Sequence, residues 1–230
     1  MLLPEIALAA KELVQVYLTV YVIDDSSPDG TAQVALDLQN QLQTPSFQIQ
    51  LISRKMKEGL GKAYIDGFKT LLALKNKPNF IMQMDADRSH SPRYIAQFIQ
   101  SAKTGADFVV GSRYIPGGSS PNWSWYRKLL SHAGNMYARM LLSNHVTDYT
   151  GGFNLYSSAL LERLNFDFIN HAGYGFLIHL KFNAQQHAQK IVEIPIQFTD
   201  REFGVSKMPL NTIFKNCYLV VVIRLKSLLP

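Results

Sequence analysis

Asp85 and Asp87, one residue apart around Ala86, are the side chains with the most chemistry within reach. They follow the apolar run Phe-Ile-Met-Gln-Met at 80–84, so they stand where a buried strand would reach the surface. Two carboxylates in that position can share one hard divalent cation. Mg²⁺ in particular takes one or two carboxylates and completes its shell with water and phosphate oxygens. The substrate this implies carries phosphate, as a nucleotide or nucleotide sugar does. An Asp-x-Asp by itself is equally a solvated turn, so its surroundings must decide.

A second acidic pair, Asp24 and Asp25, also follows an apolar run and opens the turn Asp-Asp-Ser-Ser-Pro-Asp-Gly-Thr at 24–31. Such residues break strands and cap helices, and Thr31 is the expected N-cap of the next helix. Gly-Leu-Gly-Lys at 59–62 lacks the third glycine of a dinucleotide fingerprint and the full Walker pattern. It reads as a helix start, with Lys62 a candidate for a phosphate nearby. The six histidines show no zinc spacing, and Cys217 is the single cysteine, so neither an internal disulfide nor a cysteine zinc site is expected. Cys217 lies in an apolar helical stretch and reads as a packing residue.

These residues need a scaffold. Helical patterning covers 6–16, 32–42, 61–74 and 92–102, and strand-like runs cover 18–23, 47–53, 80–84 and 107–111. Strands alternating with helices imply parallel β-α-β units and a sheet covered on both faces. Ligands then bind at the carboxyl ends of the strands, where both acidic pairs fall. Beyond Tyr114 the alternation stops. A Gly/Pro/Ser/Trp loop over 115–126 has the character of a binding loop. A helix over 127–142, a polar turn over 148–156, a helix over 175–187, a strand over 191–198, a charged loop over 199–209 and a closing amphipathic helix complete the chain. The 230 residues are 47% hydrophobic and 17% charged, an ordinary globular composition, and the net charge of +6 suits an anionic partner. No uncharged apolar stretch reaches the ~20 residues that a transmembrane helix needs, and no signal peptide is evident.

Taken together in order, these turns resemble the family 2 glycosyltransferases, and more narrowly the dolichol-phosphate and polyprenyl-phosphate mannose synthases. The residues that carry the likeness are the stretches at 24–31, 59–68 and 84–90, Gly-Ser-Arg-Tyr at 111–114, Arg-Lys-Leu-Leu-Ser at 127–131, Asp-Tyr-Thr-Gly-Gly-Phe at 148–153, and Asp-Arg-Glu-Phe-Gly-Val-Ser-Lys at 200–207. The resemblance implies an α/β GT-A fold, a Rossmann-like three-layer sandwich. It also implies Mg²⁺ or Mn²⁺, GDP-mannose as donor, dolichyl or polyprenyl phosphate as acceptor, and transfer with inversion. One departure stands out. The family opens with a strand ending in a Pro-x-Tyr-Asn-Glu turn, whereas Met1 to Glu5 matches the helix after it, so the sheet is expected to lack that first strand.

The resemblance assigns roles residue by residue. Asp85, Asp87 and Ser89 hold the metal. Ile23, Asp25, Asp85, Ala86, Asp87, Arg113, Arg201 and Lys207 hold the donor, and Arg113, Arg127, Ser131 and Arg201 grip the acceptor phosphate. Asp87, Arg113 and Arg201 are the expected catalytic set. Asp25 has a second reading as a turn former, and each arginine has one as a surface ion pair of little energetic worth. A phosphate acceptor, with a second pKa near 6, needs no general base; a hydroxyl acceptor would need one, with Asp148 the candidate. His90 is expected to shape the loop behind the metal. Residues 1–209 form the expected catalytic domain. Residues 210–230 form a helix that either packs on it or lies at an anionic membrane surface, with Trp123, Trp125 and Tyr126 as headgroup-zone aromatics. A cytoplasmic-face peripheral enzyme follows. Two alternatives stay open: a related transferase using UDP-glucose, another nucleotide sugar or another acceptor, and a stretch that folds without holding nucleotide. No nucleic-acid partner is expected, because no recognition motif accompanies the charge.

Overall fold

A computed structural model describes residues 2–169, 174–199 and 210–228. Its first helix, α1, runs from Leu2 to Ala10, earlier than the 6–16 expected from patterning. Three successive i→i+3 turns, ending with Leu13 N donating to Ala10 O, unwind the chain there, and Gln15 takes a left-handed φ of 55°. The chain continues through β1 (Leu18–Asp24), α2 (Thr31–Leu42), β2 (Phe47–Ser53), α3 (Leu60–Leu72) and β3 (Phe80–Gln83). It goes on through α4 (Ile95–Lys103), β4 (Phe108–Ser112), α5 (Trp125–Leu141), β5 (Asn154–Ser157), α6 (Ser158–Leu161), α7 (Tyr174–His187), β6 (Ile191–Pro195) and α8 (Leu210–Lys226). Thr31 is the first residue of α2 rather than its cap; Asp29 Oδ1 accepts from its backbone N–H and its hydroxyl.

The sheet comes in two pieces. β1 and β2 pair in parallel, and β3-β5-β4-β6 form a four-stranded sheet. In the larger piece β4 and β6 are parallel, while β5 is antiparallel to both β3 and β4. The polar turn expected over 148–156 therefore ends in a short, fully interior strand. Alternation along the strands sorts side chains to two faces. Ile81, Phe108, Val110 and Tyr156 join α3, α5, α7 and α8 in one core, while Val109, Leu155, Ile194 and Phe98 of α4 form the other. Helices on both faces of a sheet give three layers.

Between β1 and β3 the hydrogen-bond ladder is interrupted. Among the described residues β1 pairs only with β2, and β3 only with β5. The gap is a cavity of about 1360 Å³ that borders the length of β1, Phe80 to Met82 of β3, and the facing sides of α1, α3 and α4. The expectation of a sheet short of one strand agrees with this architecture.

Candidate active site

The site is built at the carboxyl ends of β1, β3 and β4. After β3, Asp85 and Asp87 sit half-buried on a loop that turns sharply, with Arg88 at a left-handed φ of 64°. Tyr64 of α3 donates its hydroxyl to Asp85 Oδ1 and to Met84 O, both at 3.0 Å. Burial and the Asp85 charge raise the Tyr64 pKa well above 10, which keeps it a donor. His90, stacked 4.9 Å from Phe153, accepts from the Asp85 backbone N–H at Nδ1. Its proton therefore sits on Nε2, which is buried without a hydrogen-bond partner among the described residues. Burial lowers its pKa against the pull of Asp85 and Asp87, so the ring is neutral. This is the loop-shaping role expected for it. Ser89 is buried, and both its N–H and hydroxyl donate to Asp87 Oδ1. It shapes the Asp87 carboxylate from within the loop.

The second half of the site centres on Arg113, just past β4. Its Nε and Nη2 make a bidentate pair with Asp148 at 2.7 Å each, and Nη2 also donates to Thr150 Oγ1 at 2.8 Å. Both partners are buried. Burial opposes the Asp148 charge, but Arg113 and Lys181 outweigh it and hold the carboxyl well below its usual range. Asp148 is thus a fixed anion clamped by two cations, and the expectation that it might serve as a base does not hold. Lys181 of α7 is itself buried and donates to Asp148 O. Burial pulls its pKa down to about 8 despite Asp148.

Arg127 and Ser131, four apart on α5, face this cluster. Ser124 caps α5 by accepting from Arg127 N. The Arg127 guanidinium lies 4.0 Å from the centre of the Trp123 ring, and Arg113 stands 5.1 Å from the same ring. Ser131 Oγ and Tyr114 Oη are 2.6 Å apart. Trp123 is therefore a buried spacer between two guanidiniums, not a headgroup anchor. Its neighbours Trp125 and Tyr126 are exposed.

Gly151 and Gly152 join the two halves. A Cβ on Gly151 would stand 3.2 Å from Asp148 Oδ2, and one on Gly152 would stand 3.4 Å from both Asp85 oxygens and from His90. The carboxylate pair and the arginine cluster thus flank one stretch of glycine backbone. Phe198 closes the join, 5.6 Å from both His90 and Trp123.

The remaining expected residues divide. Ile23 lies in β1, Ala86 is exposed, and Asp25 follows β1. Asp25 is already engaged: Gly59 N donates to it at 2.8 Å, Glu58 N at 3.3 Å, and Arg54 pairs with it. Burial is the largest single influence and raises its pKa, but these donors together outweigh it and lower it. Lys62 forms an exposed pair with Asp66 at 3.5 Å. Arg201 and Lys207 lie outside the described residues. Among those described, no three His, Cys, Asp or Glu side chains cluster to cage a metal. Two carboxylates nevertheless suit Mg²⁺ or Mn²⁺, whose other ligands are water and substrate phosphate.

The signature of glycosyl transferase family 2 matches residues 10–164. The chain belongs to that family. Over 189 residues it is 40% identical to a polyprenol monophosphomannose synthase of Mycolicibacterium smegmatis, covering 82% of this chain and 69% of that one. It is 40% identical, again over 189 residues, to an undecaprenyl-phosphate mannosyltransferase of Micrococcus luteus, covering 82% and 75%. The fold is also that of glucosyl-3-phosphoglycerate synthase from Mycobacterium tuberculosis, solved with Mn²⁺, UDP and glucosyl-3-phosphoglycerate. There the TM-score is 0.59 at 18% identity, covering 98% of this chain and 74% of that one. The chain is thus a glycosyltransferase of GT-A architecture.

Several supporting residues of this family 2 site had no local signal in the sequence. Tyr64 and Arg54 sit in or near a helix that reads as ordinary amphipathic surface. Lys181 and Asn135 read as exposed helix positions, yet Asn135 accepts from Tyr149 N at 2.7 Å and is buried. Only a polar residue recurring on the apolar face of a helix could have flagged them.

Proposed function

We propose that this glycosyltransferase moves mannose from GDP-mannose to a polyprenyl phosphate. The observation that carries the reading is the two-pole site: a carboxylate pair on one side of the Gly151–Gly152 turn and the Arg113, Arg127, Ser131 cluster on the other. A donor diphosphate belongs at the first pole, where bound Mg²⁺ or Mn²⁺ on Asp85 and Asp87 would neutralise charge on the leaving group. An anionic acceptor belongs at the second. Arg113 is clamped by Asp148, so its forward-facing charge is fixed before substrate arrives. A phosphate oxygen of the acceptor attacks the anomeric carbon. A new C–O bond forms as the bond to the diphosphate breaks, and the diphosphate leaves with the electron pair, inverting the centre. No carboxylate base is needed, because the phosphate is already anionic near neutral pH. Positioning two anions in line and screening their repulsion supplies the acceleration. Arg201 and Lys207 are proposed to complete the phosphate contacts.

A membrane-resident acceptor requires the enzyme to reach a bilayer. Among the described residues no helix is long and apolar enough to cross one. α8 packs Val220 and Ile223 into the core, yet leaves Phe214, Tyr218, Val221 and Leu225 exposed beside Lys215, Arg224 and Lys226. Neighbouring α5 exposes Trp125, Leu129, Met136 and Met140. Apolar stripes flanked by cations favour an anionic membrane surface, here the cytoplasmic face. The test is a transfer assay in which labelled GDP-mannose, UDP-glucose or UDP-N-acetylglucosamine is offered with polyprenyl phosphate, with and without chelator. Chelator-sensitive label in the lipid fraction from GDP-mannose alone is expected. Label from a UDP-sugar instead would overturn the donor assignment, and transfer only to a hydroxyl acceptor would overturn the acceptor assignment.

A further inference from the structure

We propose that Tyr64 is a positioning residue for the metal site: its hydroxyl, reaching across from α3, fixes the Asp85 carboxylate in the orientation that lets Asp85 and Asp87 share one divalent cation. The inference rests on the reading of that pair as the metal site, and it gives the site a further residue that acts through Asp85.

Each carboxylate has one oxygen already engaged. Asp87 is held from within its own loop, where Ser89 donates to Oδ1 through both its N–H and its hydroxyl. Asp85 is held from a distance. Its backbone N–H is spent on His90 Nδ1 at 3.0 Å, and its carboxylate takes its hydrogen bond from a side chain 21 residues earlier, the Tyr64 hydroxyl at 3.0 Å from Oδ1. Among the described residues no hydrogen bond falls on Asp85 Oδ2. A carboxylate offers about four lone-pair sites, so one donor on Oδ1 sets its rotation and leaves the rest for ligation.

The surroundings of Tyr64 hold the contact in place. Its ring is stacked on Phe176 of α7, 6.0 Å away at 4°, and on Phe68 at 6.1 Å. A tyrosine has only two side-chain torsions, so fixing the ring fixes the hydroxyl oxygen. That oxygen also lies 3.0 Å from Met84 O. One proton therefore has two acceptors within reach, and the charged one draws it more strongly. When Asp85 shares its charge with a cation, the proton still has the Met84 carbonyl, and the half-buried hydroxyl is not left unpaired. The contact orients Asp85 without competing for it. Gly152 keeps the approach open, since a Cβ there would stand 3.4 Å from both Asp85 oxygens. With two carboxylates as the protein's share of the shell, the rotation of either one governs affinity.

The test is Tyr64→Phe, which keeps the ring stack and removes the hydroxyl. Mn²⁺ is titrated by electron paramagnetic resonance into parent and variant, alone and with GDP or UDP. The dissociation constant is expected to rise by about 10–100-fold, the usual cost of losing the outer partner of a metal ligand, with Tm falling by at most about 5 °C. In transfer assays the KM for nucleotide sugar should rise while the KM for lipid phosphate does not. Added Mn²⁺ should restore most of kcat, because the hydroxyl takes no part in bond making. Tyr156→Phe is the control: it deletes another hydroxyl of the same core, one that donates to Gln83 at 3.4 Å. Its Mn²⁺ affinity is expected to match that of the parent. Equal or tighter Mn²⁺ binding in Tyr64→Phe overturns the proposal, as does an equal loss in Tyr156→Phe. A parent that binds no Mn²⁺ with either nucleotide overturns the metal reading and this inference with it, so the two failures are distinguishable.

Discussion

β4 and β5 bury Phe108, Val109, Val110 and Tyr156 completely, whereas six of the seven residues of β1 remain half-exposed. In the larger sheet the inner strands are packed on both sides, and a chain of polar contacts ties its carboxyl edge: Arg113 to Asp148, Asp148 to Lys181, Asn135 to Tyr149. In the smaller sheet the carboxyl end is tied by one side chain. Arg54, buried between β2 and α3, pairs with Asp25, Glu58 and Asp66 and so bolts the end of β1 to the loop before α3. The contrast teaches that the arginine cluster beyond β4 is preorganised by packing, while the end of β1 is held by an ion-pair hub. Preorganised charge is worth most where charge develops, and the more rigid half carries the fixed cations.

Mutations can break that contrast. The largest effect is expected from Asp87→Ala. It should cut transfer by at least about 10³-fold with an unchanged melting curve, because the change removes charge from a half-buried loop and not from a core; turnover near that of the parent would remove the metal assignment. Asp148→Asn should instead act on the fold. It leaves Arg113 buried without its carboxylate, and breaking such a pair costs about 3–5 kcal/mol, read as a lower urea midpoint at constant slope. Arg127→Ala should raise the KM for lipid phosphate by about 10–100-fold while nucleotide binding stays the same, the worth of one charge-assisted contact. Unchanged acceptor kinetics would detach α5 from the site.

The buried lysine sharpens the contrast through pH. Lys181 titrates near 8 in the folded chain against 10.5 as its ordinary value. The folded state therefore holds fewer protons than the unfolded state between those values, and stability rises with pH across that window. The penalty of burying the charge is fully present below pH 8. Urea unfolding at pH 7.5 and 9.5 should show the parent gaining about 1–2 kcal/mol. Lys181→Met should lose that gain, and an identical rise in the mutant would assign the titration elsewhere.

Much of this was legible because it is local. Apolar runs followed by Asp, Ser, Pro and Gly mark strand ends, so the positions of Asp24 and Asp85 at one edge followed from spacing alone, while Arg113 was placed by the resemblance. β5 was hidden because four residues carry no periodicity, and its antiparallel pairing is decided by β3 and β4 on either side. Tyr64, Arg54 and Lys181 were hidden for a related reason: a polar residue on a helix or just past a strand reads as solvated until its partner, 21, 29 and 33 residues away, is known. The same limit explains Trp123. An aromatic in a Gly/Pro/Ser loop looks like a surface anchor, and only the folded arginines on both sides of its ring make it interior. α8 shows both of its expected characters at once, with one face packed and another exposed, so patterning alone had no way to choose.

The smallest predicted effect tests the sheet contrast most directly. Leu155→Ala in β5 empties a buried position and Leu18→Ala in β1 trims a half-exposed one, although both border the gap between β1 and β3. The cost of deleting buried methylenes follows the area lost from the core plus the cavity left behind. Leu155→Ala should cost about 2–5 kcal/mol. Leu18→Ala should cost about 1 kcal/mol, because part of its surface is already wet and less apolar area is lost. Equal costs for the two substitutions would mean that β1 is as closely packed as β5, and the division of the sheet into a rigid and an open half would not survive.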